Sequence, residues 1–271
     1  MITIQANTQL NMVIGFPLEH SQSPLLHNAL YQALGYEAVL LAFAQPDLKD
    51  LMQVIRTLMT PLVAVTMPFK EEVLRYLDHC SPEAQQLGAV NTIIQRAGQL
   101  YGYNSDLYGI AYALRNTKVA HKNVLLIGAG GAARACAYFL QKQQAHLWWL
   151  NRSREKAVRM AKEWGGQVVQ GSQLSVLPID IIVNTTPLGM YPDTTATPLP
   201  PYQFKPQQIV FDMVYNPPLT RLLQDAARAG AITISGVDMF VAQGVRQVEL
   251  WKEQCLGNQF VEKMQAQFLG G

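Results

Sequence analysis

The 271-residue chain contains few cysteines and no cysteine motif typical of redox chemistry or metal binding. Its three thiols, Cys80, Cys136 and Cys255, show no C-x-x-C spacing. A sparse, odd set of this kind is typical of a reducing cytoplasm and not of a disulfide-stabilised secreted domain. Residues 1–10 are polar and lack the apolar segment of a signal peptide. We therefore expect a cytoplasmic location.

Charge, long apolar runs and metal-binding motifs are also scarce. Charged residues make up 15% of the chain and the net charge is +2, which is too small to indicate a nucleic-acid or membrane partner. The longest apolar stretch, residues 124–140, contains a glycine turn and an arginine, so it does not predict a membrane span. The five histidines have no H-x-H or H-E-x-x-H spacing, and no G-x-S-x-G turn is present. We expect neither a metal site nor a serine hydrolase.

What the chain does contain is a regular alternation of short apolar runs and helical patterns. Apolar residues make up 49% of the sequence, enough for a well-packed α/β enzyme of one large or two ordinary domains. Strand-like and helix-like segments alternate in both halves, which predicts parallel sheets. Gly35 is predicted to end one helix of the first half, and Asp47 is predicted to cap the next. Residues 88–94 and 100–104 are the exception, because the turn between them predicts two paired strands. The proline-rich residues 191–206 are predicted to form a long surface loop.

A glycine turn follows the apolar run at residues 124–127 and has the pattern G-x-G-x-x-A. The turn consists of Gly128, Ala129, Gly130, Gly131, Ala132 and Ala133. A tight turn, a close approach of backbone to a pyrophosphate, and close packing of helix on strand each need glycine or alanine at these places. The amides of the following helix would face the phosphates. The pattern predicts dinucleotide binding, and the alternative is a βα turn with a structural role only.

The tip of the next strand decides between the two nicotinamide cofactors. NAD sites usually carry an acidic residue there, but this tip reads Asn151-Arg152-Ser153-Arg154-Glu155-Lys156. An arginine fork binds a 2′-phosphate, whereas an acid would repel it. The tip therefore favours NADP over NAD. The alternative is a solvated basic loop in which Ser153 is the N-cap of the following helix.

Several polar residues stand where a core does not require them. Ser21 and Ser23 precede a helix that begins at Pro24, and two hydroxyls at a helix N-terminus would suit a carboxylate ligand. Ser23 is also explained as an N-cap. Lys70 is predicted in the first turn of a helix at residues 70–77, where deprotonation is easier, which suits acid–base chemistry. Its alternative is an exposed lysine paired with a glutamate.

Further polar side chains lie in apolar surroundings or at the ends of predicted strands. Asp106 either caps the next helix or binds a ligand, and Asn91 lies in an apolar run where a buried amide needs partners. The segments that start at Asn184 and Asp212 follow buried strands, at the sheet edge where ligands bind in open α/β folds. Gln243 and Gln247 share one helical face, and the alternative to a functional role for them is a solvated face.

Nine motifs together resemble those of the shikimate dehydrogenase family, in order and over nearly the whole chain. They are G-F-P-L-E-H-S-Q-S-P-L-L-H-N (15–28), T-M-P-F-K-E-E (66–72), G-A-V-N-T (88–92), Y-N-S-D (103–106), G-A-G-G-A (128–132), N-R-S (151–153), N-T-T-P-L-G-M (184–190), D-M-V-Y-N-P (212–217) and V-A-Q-G (241–244). The resemblance implies a two-domain α/β fold with the active-site cleft between the domains. Residues 1–106 with 238–271 would form the substrate-binding domain, and residues 107–237 the Rossmann-type NADP-binding domain.

The resemblance also implies an activity and assigns the site residues. The implied reaction is the NADPH-dependent, reversible reduction of 3-dehydroshikimate to shikimate, in aromatic amino acid biosynthesis, by a monomer or homodimer. Lys70 and Asp106 would be the catalytic pair. The other implied substrate-binding residues are Ser21, Ser23, Thr66, Asn91, Tyr215 and Gln243. The implied cofactor-binding residues are Gly128, Ala129, Gly130, Gly131, Ala132, Asn151, Arg152, Ser153, Lys156, Met213 and Gly236.

Three positions depart from the family pattern, and two other functions stay open. Ser105 replaces the usual threonine, which is a conservative change. Ala64 stands where the family commonly has asparagine, which removes one supporting bond near the pocket. Asp238 stands where small residues are common, so the loop near the nicotinamide is expected to differ. The alternatives are a quinate/shikimate dehydrogenase that uses NAD or NADP, and a non-catalytic NADP-binding sensor of the same fold. Retention of both Lys70 and Asp106 argues against the sensor.

Overall fold

A computed structural model describes residues 4–199 and 202–270 of the chain, which form two compact units. The first unit contains the described residues up to Ser105 and those from Val241 onward, and the second runs from Asp106 to Phe240. The domain boundaries after residue 106 and before residue 238 stay a prediction. The described part of the loop at residues 191–206 forms no helix or strand, and its residues 200 and 201, like residues 1–3, lie outside the described residues.

The first unit is built on a six-stranded mixed sheet. Its strands are β1 (Gln9–Gly15), β2 (Ala38–Ala44), β3 (Leu62–Val65), β4 (His79–Cys80), β5 (Thr92–Arg96) and β6 (Gln99–Tyr103). They lie in the order β2-β1-β3-β5-β6-β4. β1 is parallel to β2 and β3, but β5 is antiparallel to both β3 and β6. β5 and β6 are the paired strands predicted from the turn at Ala97 and Gly98, and a turn this short joins strands that pair in opposite directions. The expectation of parallel pairing fails at β3 and β5, which are also antiparallel.

Two helices of the first unit each have an end that the sequence predicts, and the bounds of two others were not predicted. They are α1 (Ser23–Leu34), α2 (Leu48–Thr57), α3 (Pro82–Leu87) and α9 (Gly257–Gly270). The first unit also contains most of α8 (Gly236–Lys252), a helix that it shares with the second unit. α1 ends at Gly35 in the left-handed conformation, with φ of 70°. α2 begins after Asp47, whose carboxylate accepts a hydrogen bond from the Lys49 amide at 2.7 Å. Both ends are as predicted.

The segment that carries Lys70 differs from its prediction. In place of an α-helix at residues 70–77, the chain forms a turn that includes Lys70 and then a 3-10 helix at Glu72–Tyr76. The segment is short because the Asp78 amide already donates to the Leu100 carbonyl at 3.0 Å and the next residue begins β4. Five residues favour the tighter 3-10 winding. The helix-terminus argument for easier deprotonation of Lys70 therefore fails.

The second unit is built on a six-stranded sheet whose pairs are all parallel. Its strands are β7 (Asn123–Ile127), β8 (His146–Leu150), β9 (Gln167–Val168), β10 (Ile181–Asn184), β11 (Ile209–Asp212) and β12 (Ile232–Ile234), in the order β12-β11-β10-β7-β8-β9. Its helices are α4 (Asp106–Ala113), α5 (Gly131–Lys142), α6 (Arg154–Trp164), α7 (Arg221–Arg228) and the start of α8 (Gly236–Lys252), with a 3-10 helix at Gly171–Val176. The strand order reverses between β7 and β10, which is where a doubly wound sheet binds its ligand.

Helix α8 supplies residues to both units, since its residues up to Phe240 belong to the second and those from Val241 to the first. Asp238 lies in the first turn of α8 and not in a loop. The expected difference from the family at that position stays a prediction. An acidic residue is favourable in a first helical turn, so Asp238 stabilises the start of α8 at Gly236. Among the described helices, none is long and apolar enough to cross a membrane.

Candidate functional site

The glycine turn joins β7 to α5, and each of its small residues is needed for a different structural reason. Gly128 has φ of +117°, and a Cβ atom there would lie 2.3 Å from Thr185 Oγ1. That hydroxyl donates to the Ile127 carbonyl at 2.7 Å, so the turn and the end of β10 leave no room for a side chain. Gly130 is the N-cap of α5, and a Cβ on it would meet no atom within 4 Å. Ala133 is fully buried in the helix–sheet contact. The open space at Gly130, in front of a helix N-terminus, fits a phosphate.

The tip of β8 presents the basic residues next to a large cavity. Asn151 Nδ2 donates to the Ser153 carbonyl at 2.9 Å, and Ser153 Oγ accepts from the Lys156 amide at 3.4 Å. Ser153 is thus the N-cap of α6, as one alternative predicted. Arg152 is exposed. Asn151 and Arg152 line a cavity of about 1090 Å³ whose other walls include Leu174 and Tyr202. A basic rim on a largely apolar cavity fits the phosphorylated adenosine half of NADP.

The carboxyl ends of β10 and β11 are joined by a buried hydrogen-bond cluster. Asn184 Nδ2 donates to Asp212 Oδ1 at 2.9 Å, and Thr220 Oγ1 donates to Asp212 Oδ2 at 2.6 Å. The Val214 amide donates to Asp212 Oδ1 at 3.1 Å, and Thr186 donates to Asn184 Oδ1 from its amide and its hydroxyl. Asn184 and Asp212 are fully buried, and burial raises the pKa of Asp212 to about 6 despite these donors. The cluster fixes the two loops that follow the strands.

Met213 and Gly236, both predicted near the nicotinamide, lie against each other. A Cβ atom on Gly236 would come within 2.6 Å of the Met213 backbone. The start of α8 therefore depends on glycine for its close approach to the end of β11. Tyr215 follows in the same loop, where its ring stacks on Phe240 with 4.0 Å between centroids and 14° between planes. The half-buried Tyr215 is thereby held by α8.

In the first unit, Asn91 is the centre of a second buried polar cluster. Its side chain is 2% exposed. Asn91 Oδ1 accepts from the Ser105 amide at 2.7 Å and from Thr92 Oγ1 at 2.8 Å, while its Nδ2 donates to Ser105 Oγ at 3.0 Å. Ser105 Oγ donates to Gln243 Oε1 at 3.3 Å. Two predicted substrate-binding residues, Asn91 and Gln243, are thus brought together in one network.

The two serines before α1 do not act as the sequence allowed. The N-cap of α1 is Gln22, and no side chain caps the helix. Ser23 is the first helical residue, so its interpretation as an N-cap is wrong. Ser21 Oγ accepts a hydrogen bond from the Ser23 amide at 3.4 Å, and both side chains are half-buried. Capping therefore does not account for either hydroxyl.

Thr66 and Lys70 lie on the loop that follows β3. The Thr66 amide donates to the Ile14 carbonyl at 2.9 Å, and the Lys70 carbonyl accepts from the Val90 amide at 2.8 Å. A Cβ atom on Gly15 would lie 2.5 Å from Thr66 Cγ2, so glycine at the end of β1 makes room for this loop. Lys70 is half-buried. Asp106 is 4% exposed and is the first residue of α4, directly after Ser105 of the Asn91 cluster.

Two family models match the chain, one in each unit. A model of the shikimate dehydrogenase substrate binding domain matches residues 13–93. A model described as shikimate / quinate 5-dehydrogenase matches residues 111–187. The chain belongs to the shikimate dehydrogenase family. The resemblance that the nine motifs carry is therefore confirmed.

Similar proteins of the family cover almost the entire chain. A shikimate dehydrogenase (NADP(+)) of Oleidesulfovibrio alaskensis is 40% identical over 250 residues, which are 90% of each chain. The crystal structure of shikimate dehydrogenase from Aquifex aeolicus has a TM-score of 0.89 at 36% identity and covers 97% of this chain and 99% of its own. The enzyme of Thermus thermophilus, solved with NADP(H) and shikimate, has a TM-score of 0.85 at 33% identity, with coverage of 96% and 99%. The predicted two-domain α/β fold is confirmed.

Sequence reasoning missed several buried polar residues near the predicted substrate-binding residues. Gln247 is 2% exposed, so the interpretation of its helical face as solvated is wrong. Thr92 and His27 are both fully buried. The one sequence signal that could have identified them is a polar residue within an apolar pattern. Among the described residues, no group of three or more His, Cys, Asp or Glu side chains could hold a metal ion.

Proposed function

We propose that the chain catalyses the reversible reduction of 3-dehydroshikimate to shikimate with NADPH, as an oxidoreductase that acts on a CH–OH group. One observation carries the proposal. The two family matches fall in separate units, and each unit has its own polar site: the Asn91 cluster in the first, and the glycine turn with its basic strand tip in the second. One relative named above is a shikimate dehydrogenase (NADP(+)), and another was solved with both NADP(H) and shikimate.

The substrate is proposed to bind through residues of five segments. Ser21 and Ser23 would hold its carboxylate, since two half-buried hydroxyls that cap no helix suit an anion. The hydroxyl groups of the ring would be bound by side chains that are already oriented by neighbours; these are Thr66, Asn91, Tyr215 and Gln243. The Asn91–Ser105–Gln243 cluster supports this role because it fixes two amides before any ligand arrives.

The cofactor is proposed to bind on the second unit. Its pyrophosphate would lie on the glycine turn of Gly128, Ala129, Gly130, Gly131 and Ala132. Its 2′-phosphate would be bound by Asn151, Arg152, Ser153 and Lys156. Met213 and Gly236 would border the nicotinamide. When bound, NADPH supplies the hydride, and the protein supplies orientation and a proton.

Lys70 and Asp106 are proposed to be the catalytic pair. Negative charge grows on the substrate oxygen during reduction, and the Lys70 ammonium would stabilise that charge and donate the proton. Asp106 would orient Lys70 and the hydroxyl. General acid–base assistance of this kind is worth about 10²–10⁴-fold in rate. The position of Asp106 supports the assignment, since a 4% exposed carboxylate needs a polar partner.

An assay of NADPH formation from shikimate tests the function, with quinate and NAD as controls. Turnover of shikimate with NADP and little with NAD is the expected result. Turnover of quinate with NAD would favour the broader quinate/shikimate dehydrogenase. Binding of NADP with no turnover would favour a sensor of the same fold and would overturn the proposal.

We also propose a cytoplasmic enzyme that works on small molecules alone. The three cysteines are free thiols, which suits a reducing compartment. No nucleic-acid or membrane partner is proposed, because the net charge of +2 provides no strongly basic surface. A monomer or homodimer stays a prediction, which sedimentation would test.

A further inference from the structure

A buried chain of hydrogen-bonding groups crosses the first unit from α1 to β5. The Ser23 carbonyl lies 3.0 Å from His27 Nδ1, and His27 Nε2 lies 2.9 Å from Gln247 Oε1. Gln247 Nε2 donates to the Asn91 carbonyl and to Thr92 Oγ1, each at 3.0 Å. Gln247 comes from α8, 220 residues after His27. Side chains of three distant segments therefore meet along one path of polar contacts.

The two side chains that link the ends of the path are shielded from water. His27 is fully buried and Gln247 is 2% exposed. Burial lowers the pKa of His27 to about 4, so the ring is neutral under ordinary conditions and carries a single N–H. The Ser23 carbonyl and Gln247 Oε1 are both acceptors, so the ring donates to one of them and contacts the other. Each buried polar group that loses its partner costs about 1–3 kcal/mol, because no water can replace the partner. The two side chains therefore hold their neighbours in one arrangement.

Both ends of the path lead to residues of the proposed substrate site. At one end is Ser23, in the first turn of α1 and beside Ser21. At the other end is Asn91, whose side chain is joined through Ser105 to Gln243. Gln247 also lies one helical turn after Gln243 on α8, so one helix carries a proposed ligand contact and its support.

We propose that His27 and Gln247 are positioning residues that fix the N-terminus of α1 relative to Asn91 and so set the affinity for the substrate. The proposal rests on the proposed function for its ligand. Neither side chain bonds the substrate; both act through Ser23, Asn91 and Thr92. A purely structural role would lower stability without a preferential effect on substrate binding.

Gln247→Met tests the proposal, because methionine keeps the length of the side chain and removes both polar atoms. The KM for shikimate should rise about 10-fold, which corresponds to the loss of one or two buried hydrogen bonds. The KM for NADP should stay within about 2-fold and kcat within about 3-fold, since neither depends on the α1–β5 arrangement. Gln265→Met is the matched control: Gln265 is also a buried glutamine of the first unit, on α9, and its replacement should leave the KM for shikimate unchanged.

A double-mutant cycle with His27→Phe asks whether the two residues act together. Phenylalanine keeps a ring of similar shape and removes both nitrogens. If one path carries the effect, the double variant should raise the KM for shikimate no more than the stronger single variant does. Additive effects, or equal losses for shikimate and NADP, would overturn the proposal. Should either variant fail to fold, Thr92→Val removes one partner of Gln247, and an unchanged KM for shikimate in that variant would overturn it as well.

Hydrogen–deuterium exchange separates this proposal from the proposed function. Gln247→Met should speed exchange of backbone amides in peptides from α1 and β5, while peptides from α2 keep their wild-type rates. That readout needs no substrate, so it stands even if the wild-type protein does not oxidise shikimate. Unchanged protection at α1 and β5 would refute the positioning role, whereas absence of wild-type turnover alone would refute only the proposed function.

Discussion

Replacing Asp212 by asparagine should make the stability of the protein less sensitive to pH. The carboxylate is fully buried at the end of β11. Two effects on its pKa oppose each other: burial raises it, and hydrogen bonds from Thr220, Val214 and Asn184 lower it. Burial dominates, and the pKa rises from its ordinary 3.8 to about 6. The charged form is therefore held in the folded protein at a cost in free energy.

The sign and the size of that cost follow from the two pKa values. Between pH 3.8 and about 6 the folded protein binds a proton at Asp212 that the unfolded chain has released, so the free energy of unfolding falls as pH rises through this window. Each pKa unit corresponds to about 1.4 kcal/mol, which gives a total of about 3 kcal/mol. Between pH 4.5 and pH 7.5 the free energy of unfolding of the wild-type protein falls by about 2 kcal/mol through this effect. The asparagine variant shows no such fall, because asparagine does not titrate.

Thermal unfolding of the wild-type protein and of Asp212→Asn at pH 4.5 and pH 7.5 measures the effect. The Tm of the variant relative to the wild type should rise by about 4–8 °C between the two pH values. At pH 4.5 the protonated acid and the amide have nearly the same shape, so the lower pH is the internal control for lost packing or hydrogen bonds. A constant difference would refute the reasoning. A change in the opposite direction would mean that the three donors, and not burial, determine the pKa.

Other predictions concern the proposed catalytic and cofactor residues. Lys70→Ala should lower kcat by about 10²–10⁴-fold with a much smaller rise in KM, and a raised KM with kcat intact would show that Lys70 only binds. Arg152→Gln should raise the KM for NADP about 10-fold and leave that for NAD unchanged; equal effects on both would exclude a contact with the 2′-phosphate. Gly128→Ala should lower the Tm, because φ is +117° and Thr185 Oγ1 is 2.3 Å from the new methyl group, whereas Gly130→Ala should keep the Tm and weaken NADP binding. A lowered Tm for Gly130→Ala, measured under the same conditions, would contradict the open space at its Cβ.

The second unit was the more predictable part of the fold. Its strands are apolar runs ended by turn residues, and the glycine pattern at Gly128 identifies the first βα turn by itself. Local signals of this kind act over a few residues, and therefore caps such as Asp47 and Ser153 were also found. The short elements β4, β9 and α3 were missed because two to six residues carry too little periodicity.

Site residues could be predicted where they belong to a sequence motif. Their surroundings could not be predicted where segments that are distant in the sequence come into contact. Ser23 was interpreted as a cap because serine before proline usually is one, but the helix begins one residue earlier. Lys70 was placed in a helix because nothing nearby in the sequence shows that Asp78 pairs with β6. Gln247 looked solvated because its partners, His27 and Thr92, come from the other end of the chain. Burial of such a residue depends on tertiary contacts that local patterns do not contain.

The first unit is assembled from both ends of the polypeptide, and this sets an order for its folding on the ribosome. Residues from Asp106 to Phe240 form one uninterrupted unit that can complete its own sheet once they have emerged. Residues up to Ser105 leave the ribosome earlier, yet His27 and the Asn91 carbonyl find Gln247 only after α8 has been translated. The segment up to Ser105 is therefore translated before the second unit but reaches its native state after it. Premature termination before residue 247 would leave this segment without its contacts to Gln247.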